Sequence, residues 1–439
     1  MGRRPTYPPL RVYQNGHLVG FLLKEPGGGV AFRYDAGWLE RANAVPVSLS
    51  LPLREDAYRG EPVLAVFENL LPDSDALRRR VAETVGARGI DAFAMLSRIG
   101  RDCVGALQFV AGDEERKENG PSDGEVLDEA AVERVLGNLA RAPLGIERDE
   151  DFRISLAGVQ EKTALLRHDG RWLKPHGTTP TTHIFKTQIG VLPGGINLTD
   201  SVENEFYCLK LAEAFGLAVN AAEICVFGET KALVIERFDR LRTRDGRLLR
   251  LPQEDCCQAL SVPPTLKYQS DGGPGMVEIL DLLKGSDTPL EDQELFLAAQ
   301  IFFWAIGATD GHAKNFSLFL RPAGAFRLTP FYDILTVQPL LDVRQIAKRQ
   351  MKLAMSAGRN RHYRVDEIQP RHFPQTAGLA NVAERTALRA LEHVAGRAER
   401  AFEEVEQALP PGFPERIHAS VRDAAMPRIA AISRLLRER

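Results

Sequence analysis

Residues 295–308, "LFLAAQIFFWAIGA", are apolar except for Gln300, and the polar cluster "TDGHAKN" follows without a gap. A stretch apolar on every side cannot lie on a surface, so residues 293–306 must form a helix enclosed by other helices. The interrupted run is too short to cross a bilayer. The chain therefore has to build a helical lobe around this segment. With 439 residues it exceeds one ordinary core, which predicts two or three lobes. The hydrophobic share of 44% and charged share of 26% are those of a soluble globular protein.

A formal net charge of −3 excludes a global attraction to DNA or anionic membrane and leaves only local basic patches. One lies at residues 344–364, where Arg344, Lys348, Arg349, Lys352, Arg359, Arg361 and Arg364 occur with no acidic residue between them. It fits a solvated face at least as well as a partner surface. The five cysteines include no C-x-x-C pair, which argues against a disulfide framework and a zinc site. The start "MGRRPTYPPLR" lacks an apolar segment behind its charge, so no secretory signal is read and a cytoplasmic protein without membrane attachment is expected.

Along the chain, "LRVYQNGHLVGFLL" places two apolar runs around Asn15-Gly16, a hairpin signal. The expected order is a β-rich N-terminal subdomain (1–110), a linker and connecting helix (111–150), the nucleotide-binding part (151–252) and a helical lobe with the catalytic loop (253–439). "ENLLPDSDALRRRVAETVG" reads as helix, and "TALLRHDGRWLKP" as a hairpin around Asp169-Gly170. Val202, Phe206, Leu209 and Ala212 share one helical face, with Asp200 and Glu203 as the expected cap and Gly216 as the stop. "AEICVFGETKALVIERFD" reads as two strands around Gly228-Glu229. The fold class expected is α+β: bilobal, with the β-rich N-terminal subdomain, a mixed α/β lobe and a larger all-α C-terminal lobe.

The chemistry concentrates after the buried helix. Asp310 and Asn315 have the D-x-x-x-x-N spacing of a kinase catalytic loop, in which the Asp takes or orients the proton of the attacking hydroxyl and the Asn reaches a magnesium ion. Asp333, in "TPFYDIL", follows strand-like sequence and can hold the metal that bridges the phosphates. Lys186 ends an apolar strand upstream, as a phosphate-binding lysine should, and Glu203 or Glu205 on the next helix can pair with it. His312 reads better as a satisfied polar side chain than as a metal ligand. The loop in "ISLAGVQEKTALL" can cover phosphates with backbone N–H groups, although it matches no glycine-rich motif and reads more simply as a turn.

Taken in order, "ISLAGVQEKTALL", "THIFK", "VENEFYCLKLAEAFGL", "ERFDR", "LPQEDCCQAL", "TLKYQSDGGPG", "TDGHAKNFSL" and "YDIL" resemble the HipA family, the serine/threonine kinase toxins of bacterial type II toxin–antitoxin modules. "VYQNGHLVGFL", "ENLLPDSDALR" and "LPPGFPE" extend the resemblance over nearly the whole chain. It implies a bilobal protein-kinase-like fold in which the mixed α/β lobe is the nucleotide lobe, and ATP and Mg2+ as cofactors, with Asp310 as catalytic base, Asn315 and Asp333 as metal ligands and Lys186 on the phosphates. It further assigns Ala157, Gly158, Val159, Gln160, Glu161 and Lys162 to a nucleotide-contacting loop, and Glu236, Arg237 and Phe238 to the segment that meets adenine. His312, Ala313 and Lys314 would line the ATP site, with Tyr332 beside Asp333.

Ser155 matches the family's autophosphorylated serine, and residues 265–275 hold the place of an activation loop. The implied substrate is a protein, in family members an aminoacyl-tRNA synthetase. The implied partner is a HipB-like helix-turn-helix antitoxin, through which operator DNA is mainly bound, with a homodimer possible inside that complex. Two other readings fit the residues: a small-molecule phosphotransferase, which shares this set of acidic residues, and a co-repressor acting with its antitoxin.

Overall fold

The structure, a computed structural model, describes residues 7–111, 123–147, 151–158 and 160–439. Most of the expected linker and Val159 lie outside the described residues. Packing divides the chain into two units: Met1–Thr187 with Cys225–Thr265 and Leu318–Ala325, and Gln188–Ile224 with Leu266–Ser317 and Phe326–Arg439. Packing thus interleaves stretches that the sequence presents consecutively. The reason is β-pairing at a distance: the strand Thr230–Glu236 takes His183–Thr187 as its antiparallel neighbour.

The first unit opens with an antiparallel sheet ordered Tyr58–Arg59, Val30–Tyr34, His17–Lys24, Leu10–Gln14, Leu107–Ala111. Its first hairpin turns at Asn15 and Gly16, both at positive φ (45° and 91°), as the Asn-Gly pair requires. In "ENLLPDSDALRRRVAETVG" the helix is Asp75–Val85, and an earlier one, Glu61–Glu68, ends on the first residue of the stretch. Pro72 and the Ser74 cap, whose hydroxyl accepts from Leu77 N–H, start the second one afresh.

A second sheet runs from Ala222–Phe227 through Thr230–Glu236, His183–Thr187, Lys162–His168 and Arg171–Pro175 to Gly124–Leu127. Leu165, Phe185, Ala232 and Val234 project from one face and pack with Val132 and Leu136 of the helix Glu129–Gly137. Strand periodicity sends the intervening residues to the opposite face. There Lys162 stands directly across from Lys186, beside Ala164, Ile184 and Leu233.

The second unit is built on helices Ser201–Ala214, Pro289–Ile306, Glu384–Ala408 and Glu415–Arg437. Thirteen of the eighteen residues of Pro289–Ile306 are buried, in keeping with the enclosed helix expected there. Two expectations need correction. The C-terminal region is not all-α, since it contains the strands Ser317–Leu320, Phe326–Leu328, Lys352–Ala357 and His362–Arg364. Nor does Asp200 cap its helix: it pairs with Arg416, and the Gln188 amide oxygen accepts the Val202 N–H at 2.9 Å. Glu203 accepts from Gln188 Nε2 at 2.8 Å, so an upstream glutamine performs the capping assigned to the local acids.

Candidate active site

The turn after the central helix is made by Gly307, at φ 72°, whose N–H returns to the Phe303 carbonyl. A side chain there would run into Met351. The last carbonyls of the helix are satisfied from outside: Arg428 donates to Ala305 O at 2.7 Å, and the Thr336 hydroxyl to Ile306 O at 2.5 Å. Burial lowers the Arg428 pKa to about 10 against the opposing pull of Asp342 and Asp366. Gly311 lies on the Phe303 ring, where a Cβ would sit 2.6 Å from a ring carbon. Beyond it, Phe316 is fully buried among Phe296, Phe303 and Phe331, with ring centroids 5.0 to 6.0 Å apart. The loop is therefore nailed at both ends, and Asp310 is left exposed between them.

Asn315 ties this loop to the next acid. Its Nδ2 donates to the backbone carbonyls of Asp310 (3.2 Å) and Asp333 (3.4 Å). With both amide hydrogens engaged, the amide oxygen is turned the other way as a lone-pair donor. Asp333 itself holds φ 57°, a left-handed conformation that costs a non-glycine residue of order 1–3 kcal/mol and persists where surrounding contacts enforce it. The enforcing contacts follow in sequence: Asn204 exchanges two hydrogen bonds with the Thr336 backbone, at 2.8 and 3.0 Å. Tyr332 donates its hydroxyl to Lys314 O at 2.8 Å and meets the Ser317 hydroxyl at 2.6 Å. His312, Ala313 and Lys314 are buried. Among the described residues no group of three His, Cys, Asp or Glu side chains could hold a metal. One carboxylate and one amide oxygen nevertheless suit a hard cation that keeps water and phosphate in its remaining positions, as magnesium does.

In the first unit, Lys162 and Lys186 are directly opposed on one face of an antiparallel pair and are 9% and 6% exposed. Lys162 Nζ donates to Ala157 O at 2.8 Å, folding the preceding loop back over the strand. Gly158, at φ 104°, bridges Pro72, and Gln160 donates to Thr187 O at 2.9 Å. Glu161 pairs with Arg80 at 3.5 Å. Ser155 is completely buried, with its hydroxyl donating to Leu70 O at 2.7 Å and its N–H to Asp102 O.

Glu236 is exposed and Phe238 packs edge-on against Phe319. Arg237 is different. Its guanidinium is 2% exposed and bonds Asp239, Asp102, Thr181 and the Cys103 carbonyl. Arg240 and Arg250 also reach Asp102, each at 2.9 Å. Burial pushes the Asp102 carboxyl up, but Arg240, Arg250, Arg237 and the Thr181 hydroxyl outweigh it and hold the pKa far below the ordinary value. Arg237 thus acts through the chain it anchors. The sequence reading missed this network; the signal was charge inside apolar surroundings, in "IGRDCVGAL" and "ERFDRL". Of the two candidate glutamates, Glu203 carries the bond from Gln188, while Glu205 is 1% exposed.

Comparison with known proteins gives these parts their class: the chain is a serine/threonine protein kinase. Residues 154–402 match the HipA-like C-terminal domain, and residues 10–110 match the HipA N-terminal domain. The chain belongs to the HipA family of kinase toxins. It is 28% identical over 411 residues to the serine/threonine-protein kinase toxin HipA of Shewanella oneidensis, covering 87% of this chain and 85% of that protein. Y4mE of Sinorhizobium fredii is 37% identical over 358 residues, 81% of this chain and 82% of that one. Among solved structures, the Shewanella oneidensis HipA, HipB and operator DNA complex contains a chain of like fold. The TM-score is 0.81 at 24% identity, covering 98% of this chain and 99% of that one. No helix among the described residues is long and apolar enough to cross a membrane.

Proposed function

We propose that the chain transfers the γ-phosphoryl group of ATP to a serine or threonine hydroxyl of a protein, with Asp310 as general base. The hydroxyl oxygen bonds the γ-phosphorus, the bond from phosphorus to the ADP oxygen breaks, and the hydroxyl proton passes to the Asp310 carboxylate. Asn315 and Asp333 would hold Mg2+, which neutralises phosphate charge when bound. Lys162 and Lys186 meet the phosphates, and Ala164, Ile184 and Leu233 offer an apolar face beside them. Glu236, Arg237 and Phe238 supply the chain that borders adenine, and Arg237 keeps it in place.

The observation that carries this reading is Asn315, whose amide donates to the backbone carbonyls of both Asp310 and Asp333 and so ties together the two segments that carry the base and the metal carboxylate. The register that sets Lys162 across from Lys186 on one sheet face supports a second contact with the phosphates.

Membership in the family supports the finer reading: a protein target of the aminoacyl-tRNA synthetase class, arrest of translation in the cytoplasm, and neutralisation by a HipB-like helix-turn-helix antitoxin. Operator DNA would be held mainly through that antitoxin, in a complex where the chain can form a dimer. A groove of about 800 Å³ lined by Arg344, Lys348 and Arg428 offers phosphate contacts only.

The burial of Ser155 supports self-inactivation by phosphorylation at that residue. A phosphate adds about −1.5 to −2 charges. Such a charge cannot remain where the hydroxyl now faces the Leu70 carbonyl with no exposure, so the loop must leave. Incubating the protein with labelled ATP and whole-cell protein tests the function: label in a protein band is expected, and label confined to small molecules would support a small-molecule phosphotransferase instead.

A further inference from the structure

The stretch 265–275 contributes a side chain to the catalytic loop. The Tyr268 hydroxyl donates to Asp310 Oδ1 at 2.5 Å, the length of a charge-assisted O–H bond to a carboxylate. Its ring meets His312 edge-on, with centroids 5.0 Å apart and planes at 86°. The ring is held from several sides. Lys267 O accepts the Ala313 N–H at 3.3 Å, while Tyr268 O accepts from Asp271 and Gly273 N–H at 3.1 and 3.0 Å. Gln269 accepts the Ser356 N–H at 2.7 Å. Gly273 lies so close to the Leu266 carbonyl, and Gly275 to the Gln269 side chain, that a methyl group at either would collide.

We propose that Tyr268 is a positioning residue for the general base, a role that rests on the kinase reading above. A carboxylate has two oxygens, and a donor fixed on one decides how the other is presented to a substrate hydroxyl. A hydroxyl on a segment whose backbone is held by so many contacts is built to stay during turnover. A contact meant to be displaced by substrate, blocking Asp310 until then, would sit on a segment with few anchors.

The test is Tyr268→Phe in the full chain, which removes one oxygen and keeps the ring. Initial rates are measured with labelled ATP and whole-cell protein at varied ATP. The expected result is a fall in apparent kcat of about tenfold, part of the 10²–10⁴ a positioned base contributes. KM for ATP should be unchanged, because the bond removed is to Asp310 and not to the nucleotide. An unchanged kcat would overturn the inference, as would a faster variant, which would show a blocking contact instead. A wild-type protein that transfers no label would remove the kinase reading itself.

Discussion

Asp102→Asn is the most demanding perturbation of the first unit. Asp102 accepts from Arg240, Arg250, Arg237, the Thr181 hydroxyl (2.7 Å) and the Thr181 N–H (3.1 Å), and is 1% exposed. Asparagine removes the charge and brings an N–H2 group among guanidiniums, leaving Arg237 and Arg240 to share Asp239 and taking from Arg250 the carboxylate it pairs with. Breaking a buried charge pair costs about 3–5 kcal/mol. That is a factor of about 10² to 10⁴ in the folding equilibrium and a large share of the roughly 5–15 kcal/mol that a domain has. Urea unfolding followed by circular dichroism should show a lower midpoint at an unchanged m value. The exposed pair Arg247 and Asp245 is the control, and Asp245→Asn should leave the midpoint where it is. The pH dependence has a defined sign. The folded pKa of Asp102 is depressed, so its stabilisation is present above the unfolded value near 3.9 and is lost as pH falls toward the folded one. The gap between wild type and variant should therefore persist at neutral pH and narrow below about pH 4. A variant as stable as Asp245→Asn would refute the reasoning.

Three further outcomes are expected. Lys186→Met should lower kcat/KM for ATP about a hundredfold, as loss of one charged contact to a transferring phosphoryl group does, measured by initial rates at varied ATP. Asn315→Ala should raise the magnesium concentration needed for half-maximal rate by about tenfold, read from a metal titration at fixed ATP. Incubation with ATP should place phosphate on Ser155, seen by peptide mass spectrometry, with ATP affinity falling in step; full affinity in the phosphorylated protein would remove the switch.

The hairpins at Asn15 and Asp169 and the enclosed helix before Asp310 were legible because each rests on a local rule of turn chemistry or periodicity. Asp310, Asn315 and Asp333 were legible because their spacing is short and their side chains sit in one unit. What the sequence hid depends on partners far along the chain. Gln188 replaces Asp200 as a helix cap by reaching forward from an upstream strand end, which no local pattern encodes. Arg237 looked like a nucleotide neighbour by position, yet its guanidinium is occupied by Asp102, 135 residues away. Lys162 seemed one residue of a weak loop motif until the register set it across from Lys186. Tyr268 had no signal beyond its place in a Gly-rich segment. The expected all-α lobe failed because strands of three to six residues, such as Phe326–Leu328, carry too little periodicity to read.

The central claim is that Asp310 takes the proton from a protein hydroxyl during phosphoryl transfer. Its most direct test is the initial rate of label transfer from ATP to protein by wild type and by Asp310→Asn, each checked for folding and ATP binding. The account predicts that the variant binds ATP as wild type does and transfers label at least 10²-fold more slowly. Equal rates from the two proteins would contradict it.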